Sequence, residues 1–243
     1  MTDKNDLLPE SSVPGLIPTL NNTGWMTETL DDVSTAFTAY AGTIDAESLD
    51  IGCAYGIATL RALENGARVC ACDIDQRHLD ILLKRVPEAL KSRCRTVAGA
   101  MPGIDFAPGS FGAILASRVL HFLTGAEVEE TVRKMAAWLE PGGRVFLVAD
   151  SPYTGPWKAA APDYERRKAE GDPWPGWLDD YTHYVPDSDN IAKSPAPINP
   201  MDPDILRRVC QEAGLEVVEA RWLSSSTKYA TGRDHAGVIA RKV

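Results

Sequence analysis

A short turn at residues 50–56 constrains the fold of this chain more than any other feature. Its sequence is Asp-Ile-Gly-Cys-Ala-Tyr-Gly, and it follows a predicted strand at residues 48–51. The small residues Gly52, Ala54 and Gly56 let the backbone pass close to a ligand. A helix predicted from about Gly56 directs its positive N-terminus to the same place. The turn therefore predicts a nucleotide-type ligand at the carboxyl end of this strand.

Strands and helices alternate from residue 47 onward. Asp75, the pair Thr124 and Glu127, and Asp202 each provide a helix-capping signal. Alternation of this kind predicts an α/β fold: a doubly wound, mostly parallel, seven-stranded sheet with helices on both faces. The predicted strands are residues 48–51, 67–73, 94–99, 111–116, 144–149, 217–223 and 235–241.

Two stretches lie outside this rhythm. Residues 1–24, rich in proline, asparagine and threonine, predict a loosely ordered lead-in. With a following helix they form an N-terminal unit, 1–46, before the ligand-binding domain predicted at 47–243. Residues 151–200 combine prolines with tryptophans and tyrosines, whereas disordered linkers are poor in aromatic residues. We therefore expect 151–200 to be an ordered insertion after the fifth strand of this domain, serving as a substrate lid.

Charge and composition narrow the class of partner. The formal net charge is −9 and no run of lysines or arginines occurs, which argues against nucleic acid, because binding phosphates needs a clustered basic surface. No apolar stretch approaches the length of a membrane span, and the first residues lack a signal-peptide core. We expect a cytoplasmic protein. The five cysteines form no CxxC pair, so we expect small buried hydrophobes and not a metal site or disulfides.

The spacing of the turn departs from the G-x-G-x-x-G fingerprint of dinucleotide-binding proteins. It resembles motif I of class I S-adenosylmethionine-dependent methyltransferases, D/E-x-G-x-G-x-G, with Ala54 in place of the central glycine. We expect Ala54 to keep a negative φ. Residues 110–123 resemble the family's "sFDxIxxxxxLxHL" segment, and residues 139–143 resemble its "LkPGG" turn. The similarity covers about residues 47–150, and the late helix–strand pattern extends it to the end.

This resemblance implies S-adenosylmethionine as cofactor and S-adenosylhomocysteine as product. By resemblance, Asp73 at the end of the second strand would bind both ribose hydroxyls, and Ile74 would pack on the adenine. The family often has an acid after the third strand; here Ala100 and Met101 offer backbone contacts only. The cofactor-binding residues expected are Asp50, Gly52, Cys53, Ala54, Gly56, Asp73, Ile74, Ala100, Met101 and Ser117.

Two histidines are candidates for the general base that an acceptor needs when it must lose a proton. His121 follows the fourth predicted strand, near the methyl group that the resemblance implies, although a packing role is the commoner one for a histidine there. His183, within the insertion, is the second candidate. We expect His78 to be an exposed residue of a helix's first turn and His235 to lie in a strand.

Several side chains are candidates for contacting the acceptor. Arg118 would suit a substrate carboxylate, with an intrachain ion pair as the more ordinary alternative. Aromatic residues of the insertion would hold an aromatic, amphipathic or cationic acceptor, or would form the insertion's own core. The N-terminal helix folds over the cofactor in many members of the resembled family. The candidate substrate-binding residues are Trp25, Arg118, Trp174, Trp177 and Tyr181.

The leading functional hypothesis is an enzyme that methylates oxygen or nitrogen of a small molecule. The alternatives are a methyltransferase acting on a macromolecule such as transfer RNA or a protein, and a cofactor-binding protein without methyl-transfer activity. No Asp-rich segment follows the fourth strand, so we expect no metal in the mechanism.

Overall fold

A computed structural model describes residues 7–11, 14–185, 197–225 and 230–243 of the chain. Parts of the predicted lead-in (1–6 and 12–13) and of the predicted insertion (186–196) lie outside the described residues. Short 3-10 helices cover Glu88–Arg93, Leu120–Phe122, Lys158–Ala160 and Tyr181–Tyr184. The other elements are β1 (Leu16–Pro18), β2 (Trp25–Thr27), α1 (Asp32–Ala41), β3 (Ser48–Ile51), α2 (Ile57–Glu64), β4 (Val69–Asp73), α3 (Gln76–Arg85), β5 (Cys94–Ala98), β6 (Phe111–Ser117), α4 (Gly125–Trp138), β7 (Leu139–Asp150), α5 (Ala161–Ala169), α6 (Pro203–Glu212), β8 (Leu215–Leu223) and β9 (His235–Lys242).

Seven of the strands form one sheet in the order β5-β4-β3-β6-β7-β9-β8. The strands β3 to β7 pair in parallel, and β9 pairs antiparallel with both β7 and β8. The predicted fold class is therefore confirmed. The strand order reverses between β3 and β6, where open α/β sheets bind their ligands at the carboxyl ends of the strands. We call this side of the sheet the C-terminal edge; β9, being antiparallel, begins there.

Two apolar cores lie on opposite faces of the sheet. Alternate residues of β7 belong to different cores: Leu147 and Ala149 pack with residues of α4 and α6, while Phe146 and Val148 pack with residues of α1 and α2. Cys70 and Cys72 lie in the same core, and all five cysteines are free thiols. Burial on both faces explains why the inner strands are continuous apolar runs in the sequence.

The predicted helix caps are present. Asp75 accepts a hydrogen bond from the Arg77 amide, and Thr124 and Glu127 form both bonds of the capping box. The helix capped by Asp75 ends at Arg85, because Pro87 disfavours helical geometry in the residue before it. Residues 141–143, expected to precede the fifth strand, lie inside β7.

The N-terminal lead-in is more ordered than its composition predicts. The strands β1 and β2 pair antiparallel, with Ile17 opposite Met26. Both of these side chains are buried against Ala54 and Tyr55 of the turn after β3. We call residues 16–27 the N-terminal hairpin. The expectation of a loosely ordered 1–24 is therefore wrong for this part, since packing on the turn stabilises a segment with little strand propensity of its own.

Within the insertion, the described residues form α5, two short 3-10 helices and one bridge between Leu178 and Ile198. Trp157, Leu178 and Ile198 form a small buried cluster of their own. None of the helices in the described ranges has the length and apolar character needed to cross a membrane.

Candidate functional site

The turn after β3 has an unusual backbone. Gly52 and Gly56 have φ values of 68° and 81°, and Ala54 has a φ of 45°. The expectation that Ala54 keeps a negative φ is wrong. The left-handed conformation costs a non-glycine residue about 1–2 kcal/mol, but the Ala54 amide donates a 2.8 Å hydrogen bond to Asp73 Oδ2. Bonds to charged acceptors are among the stronger ones in proteins.

Both glycines of the turn are required by close approach as well as by φ. A Cβ on Gly52 would lie 2.3 Å from Val119 Cγ2, and one on Gly56 would lie 2.2 Å from Leu82 Cδ1. Gly52 remains exposed at the C-terminal edge, whereas Gly56 is buried at the start of α2. The turn therefore presents accessible backbone at Gly52.

Asp50 lies beneath this turn. It is buried, and its Oδ2 accepts a 2.6 Å hydrogen bond from Thr59 Oγ of α2. Burial raises the pKa of Asp50 to about 7, and the charge of Asp73 contributes in the same direction. The neighbouring Cys53 thiol is also buried, and burial raises its pKa well above the ordinary value. Both side chains are therefore directed into the protein interior and not toward the exposed backbone of Gly52.

Asp73 lies at the end of β4 and already accepts three hydrogen bonds. Its Oδ2 accepts from the Ala54 amide, and its Oδ1 accepts from the Asp75 amide and lies 2.9 Å from His78 Nδ1. An ionised carboxylate has about four acceptor sites, so room remains for about one ribose hydroxyl. Ribose binding by Asp73 stays a prediction. With three acceptor sites in use, we expect the carboxylate to bind one ribose hydroxyl, where the resemblance implied both. Ile74 is 65% exposed beside it, as an adenine-packing residue must be.

The sequence did not indicate His78 as a site residue. The expectation of an exposed residue is wrong, because His78 is 1% exposed. Its Nδ1 faces Asp73, its Nε2 accepts a 3.0 Å hydrogen bond from the Leu20 amide, and the Tyr55 ring packs edge-on at 5.0 Å. The only local signal for the contact between His78 and Asp73 is their separation: His78 follows Asp73 by five residues and lies in the first turn of α3.

The other predicted cofactor residues lie along the same edge. Ala100 is exposed after β5, whereas the Met101 side chain is buried in the core. The hydroxyl oxygen of Ser117, the last residue of β6, lies 3.3 Å from the hydroxyl oxygen of Ser34 in α1. Exposed Ala100 and the small side chain of Ser117 therefore lie along the edge from β5 to β6.

A polar group, which we call the Asp150 cluster, occupies the C-terminal edge next to β6. It consists of Arg118, His121, Asp150 and His235. Asp150 Oδ1 lies 2.9 Å from His235 Nδ1 and 3.2 Å from Arg118 Nε, and its Oδ2 lies 3.8 Å from His121 Nε2. Burial alone raises the pKa of Asp150, but His121, Arg118 and His235 together hold it well below its usual range. Asp150 is therefore ionised.

His121 is buried, and burial lowers its pKa to about 4, so the ring is neutral near pH 7. Its Nδ1 accepts a hydrogen bond from the Asp150 amide, which places its proton on Nε2, facing the carboxylate. Arg118 makes the intrachain ion pair with Asp150 that was the ordinary alternative for it. His235 begins β9, as expected from its strand pattern, but its pairing with Asp150 was not foreseen.

The remaining candidates occupy varied surroundings. His183 has a 79% exposed side chain, 3.6 Å from Asp180. Trp174 packs on Gly125 at the start of α4, where its Nε1 donates to Glu129. Trp177 donates to Asp179 beside it in the chain. The structure thus gives Trp174 and Trp177 partners within the protein.

Trp25 is 42% exposed on β2. The Tyr181 ring lies 5.7 Å from the ring of Trp157, which in turn lies 6.3 Å from that of His121. Trp157 was not among the predicted residues, although it shares their aromatic segment. Tyr181 and Trp157 therefore connect the insertion to the Asp150 cluster.

The fold is a doubly wound α/β domain, a class of protein that binds its ligands at the C-terminal edge of the sheet. Residues 49–143 match the family described as Methyltransferase domain. A cypemycin N-terminal methyltransferase from a Streptomyces species is 33% identical over 106 residues, covering 43% of this chain and 42% of that protein. The biotin biosynthesis bifunctional protein BioHC of Cellvibrio japonicus is 33% identical over 106 residues, 44% of this chain and 20% of that protein. The chain thus covers less than half the length of these relatives.

Solved structures share the fold over more of the chain. An S-adenosylmethionine-dependent methyltransferase of Methanosarcina mazei superposes with a TM-score of 0.63 at 18% identity, covering 82% of this chain and 93% of its own. The 1,6-didemethyltoxoflavin-N1-methyltransferase of Burkholderia thailandensis gives 0.59 at 18% identity, covering 88% and 79%. Residues 49–143 are thus similar to the methyltransferase domain family, and the chain shares the fold of these solved methyltransferases.

Proposed function

We propose that this chain transfers the methyl group of S-adenosylmethionine to an oxygen or nitrogen atom of a small molecule. The Asp150 cluster is the observation that carries this proposal. It puts an ionised carboxylate, an arginine and two histidines at the end of β6 and β7, one strand from the turn after β3. A cofactor on the turn and an acceptor over the cluster would lie side by side.

The residues present fit the cofactor. Accessible backbone at Gly52, the exposed apolar side chain of Ile74 and the remaining acceptor capacity of Asp73 match an amino-acid group, an adenine and a ribose hydroxyl. S-adenosylmethionine supplies an electrophilic methyl group on a sulfonium. The acceptor atom forms the new bond to carbon as the carbon–sulfur bond breaks, so positioning the acceptor is the protein's main task.

An acceptor that carries a proton must lose it, and we assign the base to His235. Because Asp150 accepts hydrogen bonds only, His235 Nδ1 donates to it and Nε2 keeps its lone pair. A histidine oriented through Nδ1 by a buried carboxylate, with Nε2 as the base, is a recurrent catalytic arrangement. His121 is less suited, because the Asp150 amide already occupies its Nδ1 lone pair. The methyl transfer would leave the proton on His235 Nε2.

A small acceptor is favoured over a macromolecule by charge and by similarity. The net charge is −9, and the structure of the similar Burkholderia thailandensis enzyme contains 1,6-didemethyltoxoflavin with S-adenosylhomocysteine. In the described part of the insertion, the Trp157 ring lies 6.3 Å from that of His121, and the Tyr181 ring lies 5.7 Å from that of Trp157. These aromatic side chains suit a planar or cationic acceptor.

The test incubates the purified chain with methyl-labelled S-adenosylmethionine and a metabolite extract, followed by separation into small-molecule, protein and nucleic-acid fractions. We expect label in the small-molecule fraction. His235→Gln should lower the rate about 100-fold or more, the usual contribution of a general base, while His183→Gln should match the wild type. Label in protein or RNA instead would refute the small-molecule acceptor, and equal rates for both variants would refute the role of His235.

S-adenosylhomocysteine binding, followed by calorimetry, tests the cofactor site separately. Asp73→Ala should weaken binding, whereas Asp80→Ala, at an exposed position of α3, should leave it unchanged. The absence of any binding by the wild type would refute the cofactor assignment.

A further inference from the structure

His78 joins two parts of the chain that are far apart in sequence. Its Nδ1 lies 2.9 Å from Asp73 Oδ1, at the cofactor side, and its Nε2 accepts from the amide of Leu20, in the N-terminal hairpin. Resting on the proposed function, we propose that His78 is a positioning residue that holds the N-terminal hairpin onto the turn after β3, making the hairpin one wall of the S-adenosylmethionine site.

The tautomer of His78 follows from its partners. Nε2 accepts a hydrogen bond from the Leu20 amide, so the ring proton is on Nδ1, which donates a hydrogen bond to the Asp73 carboxylate. Both ring nitrogens are therefore used within the protein, and the ring is buried. A buried donor or acceptor left without its partner is costly. The hairpin and the acid are thus tied to each other through one side chain.

Further contacts place the hairpin across the turn. Tyr55 Oη donates a 2.8 Å hydrogen bond to the Pro18 carbonyl, and Arg77 Nη2 donates a 2.9 Å bond to the Leu20 carbonyl. On the other side of the same loop, Gly24 packs on the Phe122 ring: a Cβ on Gly24 would lie 3.4 Å from Phe122 Cζ, at van der Waals contact. Because Phe122 follows β6, the hairpin reaches from the first turn of α3 to the acceptor side of the site.

Asp73 also accepts a hydrogen bond from the amide of Ala54, whose backbone is in the left-handed conformation. The hairpin, His78, Asp73 and the turn therefore form one hydrogen-bonded chain. A cofactor that bonds to Asp73 and lies on the turn would stabilise the docked hairpin. By thermodynamic reciprocity, docking of the hairpin would strengthen cofactor binding to the same degree.

Two substitutions at His78 separate its two bonds. In His78→Asn, the amide group takes the position of Nδ1 and keeps the bond to Asp73, but it does not reach Leu20. We expect the hairpin amides to exchange with deuterium about tenfold faster and S-adenosylhomocysteine to bind about fivefold more weakly, the size of one hydrogen bond's contribution. His78→Gln can still accept from the Leu20 amide and should restore most of the hairpin's protection.

A pair of variants in the hairpin leaves the buried histidine untouched. Leu20→Pro removes the donor amide, and Leu20→Ala keeps it while losing a similar part of the side chain. We expect Leu20→Pro to reproduce the effects of His78→Asn relative to Leu20→Ala. These variants decide the matter if a substitution at the buried His78 prevents folding.

The readouts distinguish this proposal from the proposed function. The role of His78 would be overturned if the wild type binds S-adenosylhomocysteine and both His78→Asn and Leu20→Pro keep the wild-type affinity and the wild-type protection of the hairpin amides from exchange. If the wild type binds no S-adenosylhomocysteine, both the cofactor assignment and the coupling fall. Faster exchange at the hairpin in that case would support only the docking of the hairpin by His78.

Discussion

The buried neutral His121 should make the stability of the protein depend on pH in a way that one substitution removes. Burial lowers the pKa of His121 from 6.5 to about 4. Between these two values the unfolded chain binds a proton at this position and the folded chain does not. Unfolding is then favoured by acid, so this histidine's contribution to stability is lost as the pH falls from about 6.5 to about 4.

The magnitude follows from the two pKa values. Each unit of difference in pKa is equivalent to about 1.4 kcal/mol, so the change from 6.5 to about 4 corresponds to about 3 kcal/mol. His121→Asn is the matched perturbation, since its side-chain oxygen is able to accept from the Asp150 amide but does not titrate. The loss of ring packing against Phe122 adds a cost that is independent of pH.

Urea denaturation at a series of pH values between 4 and 8 measures the free energy of unfolding. We expect the wild type to lose about 3 kcal/mol relative to His121→Asn as the pH falls from 7 to 4. The comparison with the variant is essential because Asp50 titrates in the same range with the opposite sign. His183→Asn, at an exposed position, should follow the wild type. A constant difference between wild type and His121→Asn across the range would refute the reasoning.

Three further predictions concern stability. As the pH rises from 4 to 7, the free energy of unfolding of Asp50→Asn should increase by up to about 4 kcal/mol relative to that of the wild type, because the pKa of Asp50 is raised to about 7 and ionising the buried acid destabilises the fold. Urea denaturation at both pH values tests this, and the same difference between variant and wild type at both would contradict it. Gly56→Ala should cost about 2–4 kcal/mol from left-handed strain and the contact with Leu82, measured by urea unfolding; wild-type stability would contradict the geometry. Asp150→Ala should cost about 3 kcal/mol by leaving Arg118 without its partner, and more than Asp150→Asn in the same assay; equal values would show that the carboxylate does not support the cluster.

Local sequence determined most of the fold. The capping box of α4 was predictable because its two partners, Thr124 and Glu127, lie within one helical turn. The strands were predictable because burial on both faces requires continuous apolar runs. The turn at 50–56 was also predictable, since small residues are needed wherever the backbone approaches a ligand or a packed side chain.

Contacts between distant residues decided the chemistry of the site. Asp150 and His235 are separated by 85 residues, so no spacing pattern connects them; only the antiparallel pairing of β7 with β9 places them opposite each other. The same holds for His78 and Leu20, which are 58 residues apart. A sequence shows that a histidine is present, but its burial and tautomer depend on what packs against it.

Ala54 shows both effects: local sequence determines its position in the turn, and a contact with a distant residue determines its backbone conformation. The sequence by itself placed Ala54 in a ligand-binding turn, because its neighbours Gly52 and Gly56 fix the spacing. An alanine's own preference then predicts a negative φ. The tertiary structure reversed that preference to a φ of 45°, because the Asp73 carboxylate at the end of β4 holds the Ala54 amide. Local preferences of about 1–2 kcal/mol decide a backbone conformation only where no long-range bond outweighs them.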